Sequence, residues 1–131
     1  MSRRCYFDTS AAAKLILDEP ESTEVERWVN DVAIDAVSSM LLETELRRIA
    51  WLRELPQEEI SELLAKFDLY KVQDWEWRAA GLIPDRHLRS LDALHVASAL
   101  RIEADAIVTY DDRMAEAAVG MGLAVIQPGR G

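Results

Sequence analysis

Cys5 is the only cysteine in the 131-residue chain, so no internal disulfide staples it and no cysteine cluster holds zinc. It reads as a small buried hydrophobe suited to a reducing compartment. Histidine is almost as scarce: His87 and His95 are the two present, and their spacing matches no zinc motif. With five glycines and four prolines, the chain has no low-complexity linker, and it carries no internal repeat. No apolar run approaches the roughly 18 residues of a membrane span. The opening "MSRRCYFD" has basic residues but lacks the apolar stretch of a signal peptide, so the expectation is a cytoplasmic protein with no membrane attachment. Positive charge is in deficit too, with 15 Lys and Arg against 24 Asp and Glu and a net charge of -9. That argues against a generic nucleic-acid binder, whose affinity comes largely from cations on phosphates. A nucleic-acid role would have to be local. The same acidity suits a protein that offers carboxylates to cations or docks a basic partner.

What is present is an ordinary globular composition, 50% hydrophobic and 30% charged, in a length that suits one domain over residues 1–131. Short apolar runs alternate with longer amphipathic ones, the pattern of an α/β fold with a mostly parallel sheet. The expected strands are "RCYF" (4–7), "AIDAV" (33–37), "DLYKV" (68–72), "AIVTY" (106–110) and "AVIQ" (124–127). Helices are expected where capping residues precede amphipathic runs. Thr9 or Ser10 would open "SAAAKLILDE", Ser22 or Thr23 "EVERWVND", and Ser38 or Ser39 "MLLETELRRIAWLREL", which Pro56 would stop. Pro56 then starts "PQEEISELLAKF". Ser90 would cap "LDALHVASALRIEA", and "DDRMAEAAVGMG" would end at Gly120 and Gly122. Residues 74–81 read as helical, with Trp75 and Trp77 packing at an edge.

Four carboxylates stand where solvated decoration does not require them. Asp8 and Asp111 each follow an expected strand, and ligands of open parallel sheets bind outside strand carboxyl ends, where strand order reverses. If those two strands are neighbours, both acids face one crevice; taken alone, each could be a helix cap. Asp112 could share or replace the role of Asp111. Glu45 falls inside the apolar arc of Leu41, Leu42, Leu46, Ile49 and Leu52, whereas Glu43 lies outside it with Arg47 four residues on. A glutamate among leucines pairs with a cation, sits at the rim of the core or serves a site, because a lone buried carboxylate is costly. Asp92 lies early in a helix apolar around most of its circumference, where it could simply complement the macrodipole or cap the first turn, and His95 one turn on reads as a core or supporting histidine rather than a metal ligand. Four acids at one crevice repel each other unless a cation holds them. Oxygen ligands without cysteine or clustered histidine favour Mg²⁺ or Mn²⁺ over Zn²⁺. Carboxylate cages around such ions commonly hydrolyse phosphodiesters by activating and aligning a water and stabilising the leaving oxygen. The products would be a 5′-phosphate and a 3′-hydroxyl.

At this point the sequence resembles the PIN-domain nucleases and, within them, the VapC-type toxins of toxin–antitoxin pairs. "YFDTSAAAKL", "TELRR", "LRSLDALHVASAL" and "IVTYDDRM" are similar to that family's motifs and occur in its order along nearly the whole chain. The resemblance implies a three-layer α/β/α PIN-like domain with a central, mostly parallel five-stranded sheet. It implies that Asp8, Glu45, Asp92 and Asp111 form a catalytic, metal-binding site, supported by Thr9, Ser10 and Thr109, with Asp112 as neighbour to Asp111. It also implies an Mg²⁺- or Mn²⁺-dependent endoribonuclease cutting single-stranded or loop RNA such as tRNA or rRNA, silenced by a cognate VapB-type antitoxin and homodimeric. Phosphate positioning needs local cations, for which Arg47, Arg48, Arg86, Arg89 and Arg113 are the candidates.

Two other classes remain as alternatives. A phosphatase or phosphotransferase would use Asp8 as a covalent nucleophile, but haloacid-dehalogenase-type enzymes want an aspartate two residues later, where Ser10 stands. Receiver domains want an acidic pair, a central phosphorylated aspartate and a late lysine, and no such set is found. A non-catalytic interaction module would use the acids only to dock a basic peptide.

Overall fold

The computed structural model describes residues 2–130. Five strands, β1 (Arg3–Phe7), β2 (Ile34–Ser39), β3 (Asp68–Tyr70), β4 (Ala106–Val108) and β5 (Ala124–Ile126), form one sheet in the order β3-β2-β1-β4-β5. Every pairing is parallel. The chain builds outward from β1 through β2 to β3, then returns to the other side of β1 for β4. The reversal therefore lies between β1 and β4, and Asp8 follows β1 directly at that point. The neighbourhood expected for the two acidic strand ends is the one observed.

Among the described residues, seven helices cover the sheet: α1 (Thr9–Ala13), α2 (Ser22–Asp31), α3 (Leu41–Arg53), α4 (Gln57–Leu64), α5 (Asp74–Gly81), α6 (Ser90–Arg101) and α7 (Asp112–Gly120). Side chains of β1 alternate between two cores, as the two-residue period of a strand requires. Cys5 and Phe7 join α1, Val25, Leu42, Leu46, Ile60 and Leu63 on one face. Tyr6 joins Val37, Val96, Ala99, Ile107 and Met114 on the other. The result is the expected α/β/α sandwich, with α3 and α6 on opposite faces. Cys5 is buried and free, as its scarcity suggested.

The local signals differ from expectation in instructive ways. Asp8, not Thr9 or Ser10, caps α1, its carboxylate accepting from Ala11 N at 3.0 Å. α1 stops after Ala13, far short of the expected span, where the backbone tightens into i→i−3 turns in which Lys14 N donates to Ala11 O, Leu15 N to Ala12 O and Ile16 N to Ala13 O, while Lys14 pairs with Glu21 at 3.0 Å. Ser22 accepts from Glu19 N and donates to Leu17 O, which makes it a turn clasp rather than a cap. Ser38 and Ser39 belong to β2, where Ser38 donates to Phe7 O at 2.7 Å. α3 ends at Glu54 in the left-handed region, φ 56°, before Pro56 is reached. Arg89 rather than Ser90 occupies the cap position of α6. β3 and β4 end two residues earlier than expected. Trp75 and Trp77 do not pack at an edge: they are 53% and 55% exposed, while Glu76 between them is wholly buried.

Candidate active site

β1 and β4 deliver the first pair of groups. Asp8 is only 2% exposed, and three donors converge on its carboxylate. Thr109 Oγ1, just past β4, donates to Oδ2 at 2.6 Å, Ser10 Oγ lies 2.7 and 2.9 Å from the two oxygens, and Ala11 N donates to Oδ1. Each of its two oxygens thus has two donors within hydrogen-bond distance, Ser10 Oγ being shared between them. Burial pushes the Asp8 carboxyl above its ordinary range, opposed by the Thr109 hydrogen bond and by His95. Ser10 Oγ also accepts from Tyr110 N at 2.9 Å, tying the start of α1 to the end of β4.

α3 brings Glu45 in from one face of the sheet. Its side chain is 26% exposed, and Oε1 accepts from Thr9 Oγ1 at 2.8 Å while lying 2.6 Å from His95 Nε2. Burial raises the Glu45 carboxyl, but the hydrogen bond and charge of His95, with Thr9, overcome it and hold the group below the usual range. α6 brings Asp92 from the opposite face, half-buried in the first turn. Its carboxyl is raised by burial and then by the negative charges of Asp111 and Glu45, against the pull of His95 and Arg89. Asp111 caps α7 by accepting from Arg113 N at 2.9 Å and Met114 N at 3.2 Å, and its own N donates to Thr109 Oγ1 at 3.1 Å. Elements from both faces thus converge at the β1/β4 reversal.

Asp112 has a different place. Its side chain is 87% exposed and pairs with Arg130 at 3.1 Å. Of the two adjacent acids, Asp111 is the one whose charge reaches Asp92.

The cations divide in the same way. Arg47 is held by Glu43 at 3.0 Å and by Gln57 and Ser61, fastening α3 to α4. Arg48, Arg86, Arg89 and Arg113 are exposed, and Arg89 is near enough to Asp92 to lower its pKa. Tyr6 and Ser39 were absent from the sequence-derived site, yet both stand behind His95. Tyr6 alternates away from Cys5 and Phe7 on β1, and His95 follows Asp92 by three residues on α6, so strand and helix periods carried the signal.

All the acids offer oxygen, the donor set of a hard divalent cation. The mutual repulsion that raises Asp92 is what such an ion relieves. Among the described residues, no three His, Cys, Asp or Glu side chains lie close enough together to enclose one.

Comparison with known proteins follows the same lines. The PIN domain family matches residues 5–120. Ribonuclease VapC35 of Mycobacterium tuberculosis is 36% identical over 133 residues, covering 95% of this chain and 97% of that protein. The crystal structure of M. tuberculosis VapC20, a sarcin–ricin-loop-cleaving toxin, superposes with a TM-score of 0.76 at 14% identity over 95% of this chain and 99% of the other. A toxin–antitoxin complex from Klebsiella pneumoniae gives 0.72 at 16% identity, over 93% and 95%. The family match over residues 5–120 and the 36% identity across most of the length agree with the fold: the chain belongs to the PIN-domain family.

Proposed function

We propose that this chain is a toxin-type endoribonuclease of the VapC kind, hydrolysing phosphodiester bonds in single-stranded or loop RNA such as tRNA or rRNA. The observation that carries the reading is the 36% identity to a ribonuclease over 95% of the chain, and it is supported by the placement of Asp8 and Thr109 at the β1/β4 reversal, the Thr9–Glu45 hydrogen bond and the charge of Asp111 and Glu45 felt at Asp92. Ribonucleases of this family depend on a divalent metal ion. Mg²⁺ or Mn²⁺ suits the oxygen donors here, and Asp8, Glu45, Asp92 and Asp111, rather than Asp112, are the carboxylates that would hold it. When bound, such an ion supplies Lewis acidity and a water made acidic enough to be a nucleophile at neutral pH. The chain's own part is positional: Thr109 and Ser10 fix Asp8, Thr9 fixes Glu45, and Arg89 stands at the mouth to meet a phosphate. A cognate VapB-type antitoxin would silence the protein, which we place in the cytoplasm as a homodimer of single domains spanning residues 1–131. No helix among the described residues is long and apolar enough to cross a membrane.

The test is brief expression without antitoxin followed by sequencing of new RNA 5′ ends, with Asp8→Asn and Asp92→Asn as controls. Discrete 5′-phosphate ends that disappear in both variants are expected. Purified protein should lose cleavage in EDTA and regain it with Mg²⁺ or Mn²⁺. Cleavage indifferent to chelation, or retained by folded Asp92→Asn, would overturn the reading. A phosphoenzyme on Asp8 would favour a phosphotransferase instead.

A further inference from the structure

Behind Glu45 lies a chain of polar groups that the hydrolytic reading leaves unused. His95 is 1% exposed and Tyr6 wholly buried. His95 Nε2 stands 2.6 Å from Glu45 Oε1, His95 Nδ1 stands 2.7 Å from Tyr6 Oη, and Oη is 3.0 Å from Ser39 Oγ. Both ring nitrogens are therefore engaged, and the imidazole cannot turn over without breaking two short hydrogen bonds. An ionised carboxylate only accepts, so the contact with Glu45 requires the proton on Nε2. Thr9 donates to the same oxygen, Oε1. Among the described residues, Glu45 Oε2 accepts no hydrogen bond, which leaves one oxygen pinned and one available.

We propose that His95 is a positioning residue: with Tyr6 behind it, its Nε2–H fixes Glu45 so that Oε2 is presented to a divalent cation. The inference rests on the acidic-site reading above for what Oε2 meets. The geometry bridges the layers, because Glu45 comes from α3 on one face of the sheet and His95 from α6 on the other. A free glutamate side chain samples several rotamers, and holding it in one lowers the entropy lost when it binds an ion. Supports of this kind, when mutated, change metal affinity by about 10–100-fold.

The test separates this inference from the nuclease reading. In ¹⁵N-histidine-labelled protein without metal or RNA, NMR should show a proton on His95 Nε2 in a short hydrogen bond, shifted upfield in Glu45→Ala. Mn²⁺ binding by calorimetry should weaken by about 10–100-fold in His95→Asn, whose amide reaches only the Nδ1 position. His95→Gln places its amide nitrogen where Nε2 stood and should recover most of the loss. A wild-type chain that cut no RNA but gave these results would sink the nuclease reading and support the positioning role. An unprotonated Nε2, no Mn²⁺ binding by wild type, or equal affinities for the Asn and Gln variants would overturn it. Should His95→Asn not fold, Tyr6→Phe loosens the imidazole without opening a cavity; unchanged Mn²⁺ affinity there would overturn it too.

Discussion

Thr109 Oγ1 donates to Asp8 Oδ2 at 2.6 Å, joining the ends of β1 and β4 where the strand order reverses. Thr109 is wholly buried, so this hydroxyl is a main reason why Asp8 tolerates ionisation in a dry position. Thr109→Val keeps the shape and removes the donor. Leaving a buried acceptor unmatched costs about 1–3 kcal/mol, and the cost is greatest when Asp8 is charged. Urea denaturation should show a larger loss at pH 8 than at pH 5. Burial already raises Asp8, and Thr109 is the leading influence opposing it. Without Thr109 the acidic limb of the cleavage–pH profile should move to higher pH; a profile that does not move counts against this role.

Asp92 should limit stability while serving the site. Burial, then Asp111 and Glu45, raise its carboxyl above the unfolded value. A folded-state value raised for an acid means that the native state binds the proton more tightly, so stability falls as pH rises through that window. The penalty is absent below the unfolded carboxylate range and complete above the folded value. Asp92→Asn should therefore melt higher than wild type at pH 8 in EDTA, on the order of a few degrees, and should lose that advantage near pH 3. Added Mg²⁺ should raise the wild-type Tm more than that of the variant. Scanning calorimetry reads both comparisons, and a variant no more stable at pH 8 would refute the repulsion argument.

The arginines should separate into two groups. Arg47 is committed to Glu43, Gln57 and Ser61, so Arg47→Ala should loosen α3 against α4 without altering the salt dependence of RNA binding. Arg89 is exposed beside Asp92. Arg89→Ala should weaken binding across RNA sequences and reduce the slope of log affinity against log salt by about 1. Binding titrations with catalytically inactive Asp8→Asn as background would show the difference. Equal slopes for wild type and Arg89→Ala would remove Arg89 from the phosphate path.

Strand and helix periods made much of this architecture legible. The apolar arc around Glu45 and the nearly all-apolar helix of Asp92 each named a face, and those faces meet as the periods required. Cap residues were a poorer guide. Ser38 and Ser39 looked like helix openers because serine favours caps, yet parallel pairing with Leu69 and Tyr70 keeps both in β2. Asp8 takes the cap that Thr9 and Ser10 were expected to supply, because their hydroxyls are drawn to Glu45 and to Asp8 itself. The hardest feature to read was "WEW": two tryptophans promise burial, and only the tertiary position of Ser98 and Arg101 shows that Glu76 is the buried one.

That glutamate gives the last prediction. Glu76 is wholly buried. It accepts from Gln73 N at 2.9 Å and Ser98 Oγ at 2.7 Å, and it pairs with Arg101. Arg101 in turn donates to Lys71 O at 3.0 Å and lies over the Tyr70 ring. The pair fastens α5 to α6, the helix that carries Asp92 and His95. Removing one member strands the other charge in a dry place, which typically costs about 3–5 kcal/mol. Arg101→Met should therefore lower the urea midpoint sharply. Replacing both charges with apolar groups of similar volume is often neutral or stabilising, so Glu76→Leu with Arg101→Met should recover much of the loss. If the double variant is as unstable as the single one, the ion pair contributes more than mutual neutralisation, and the Glu76 hydrogen bonds that cap α5 at Gln73 and reach Ser98 on α6 hold the junction.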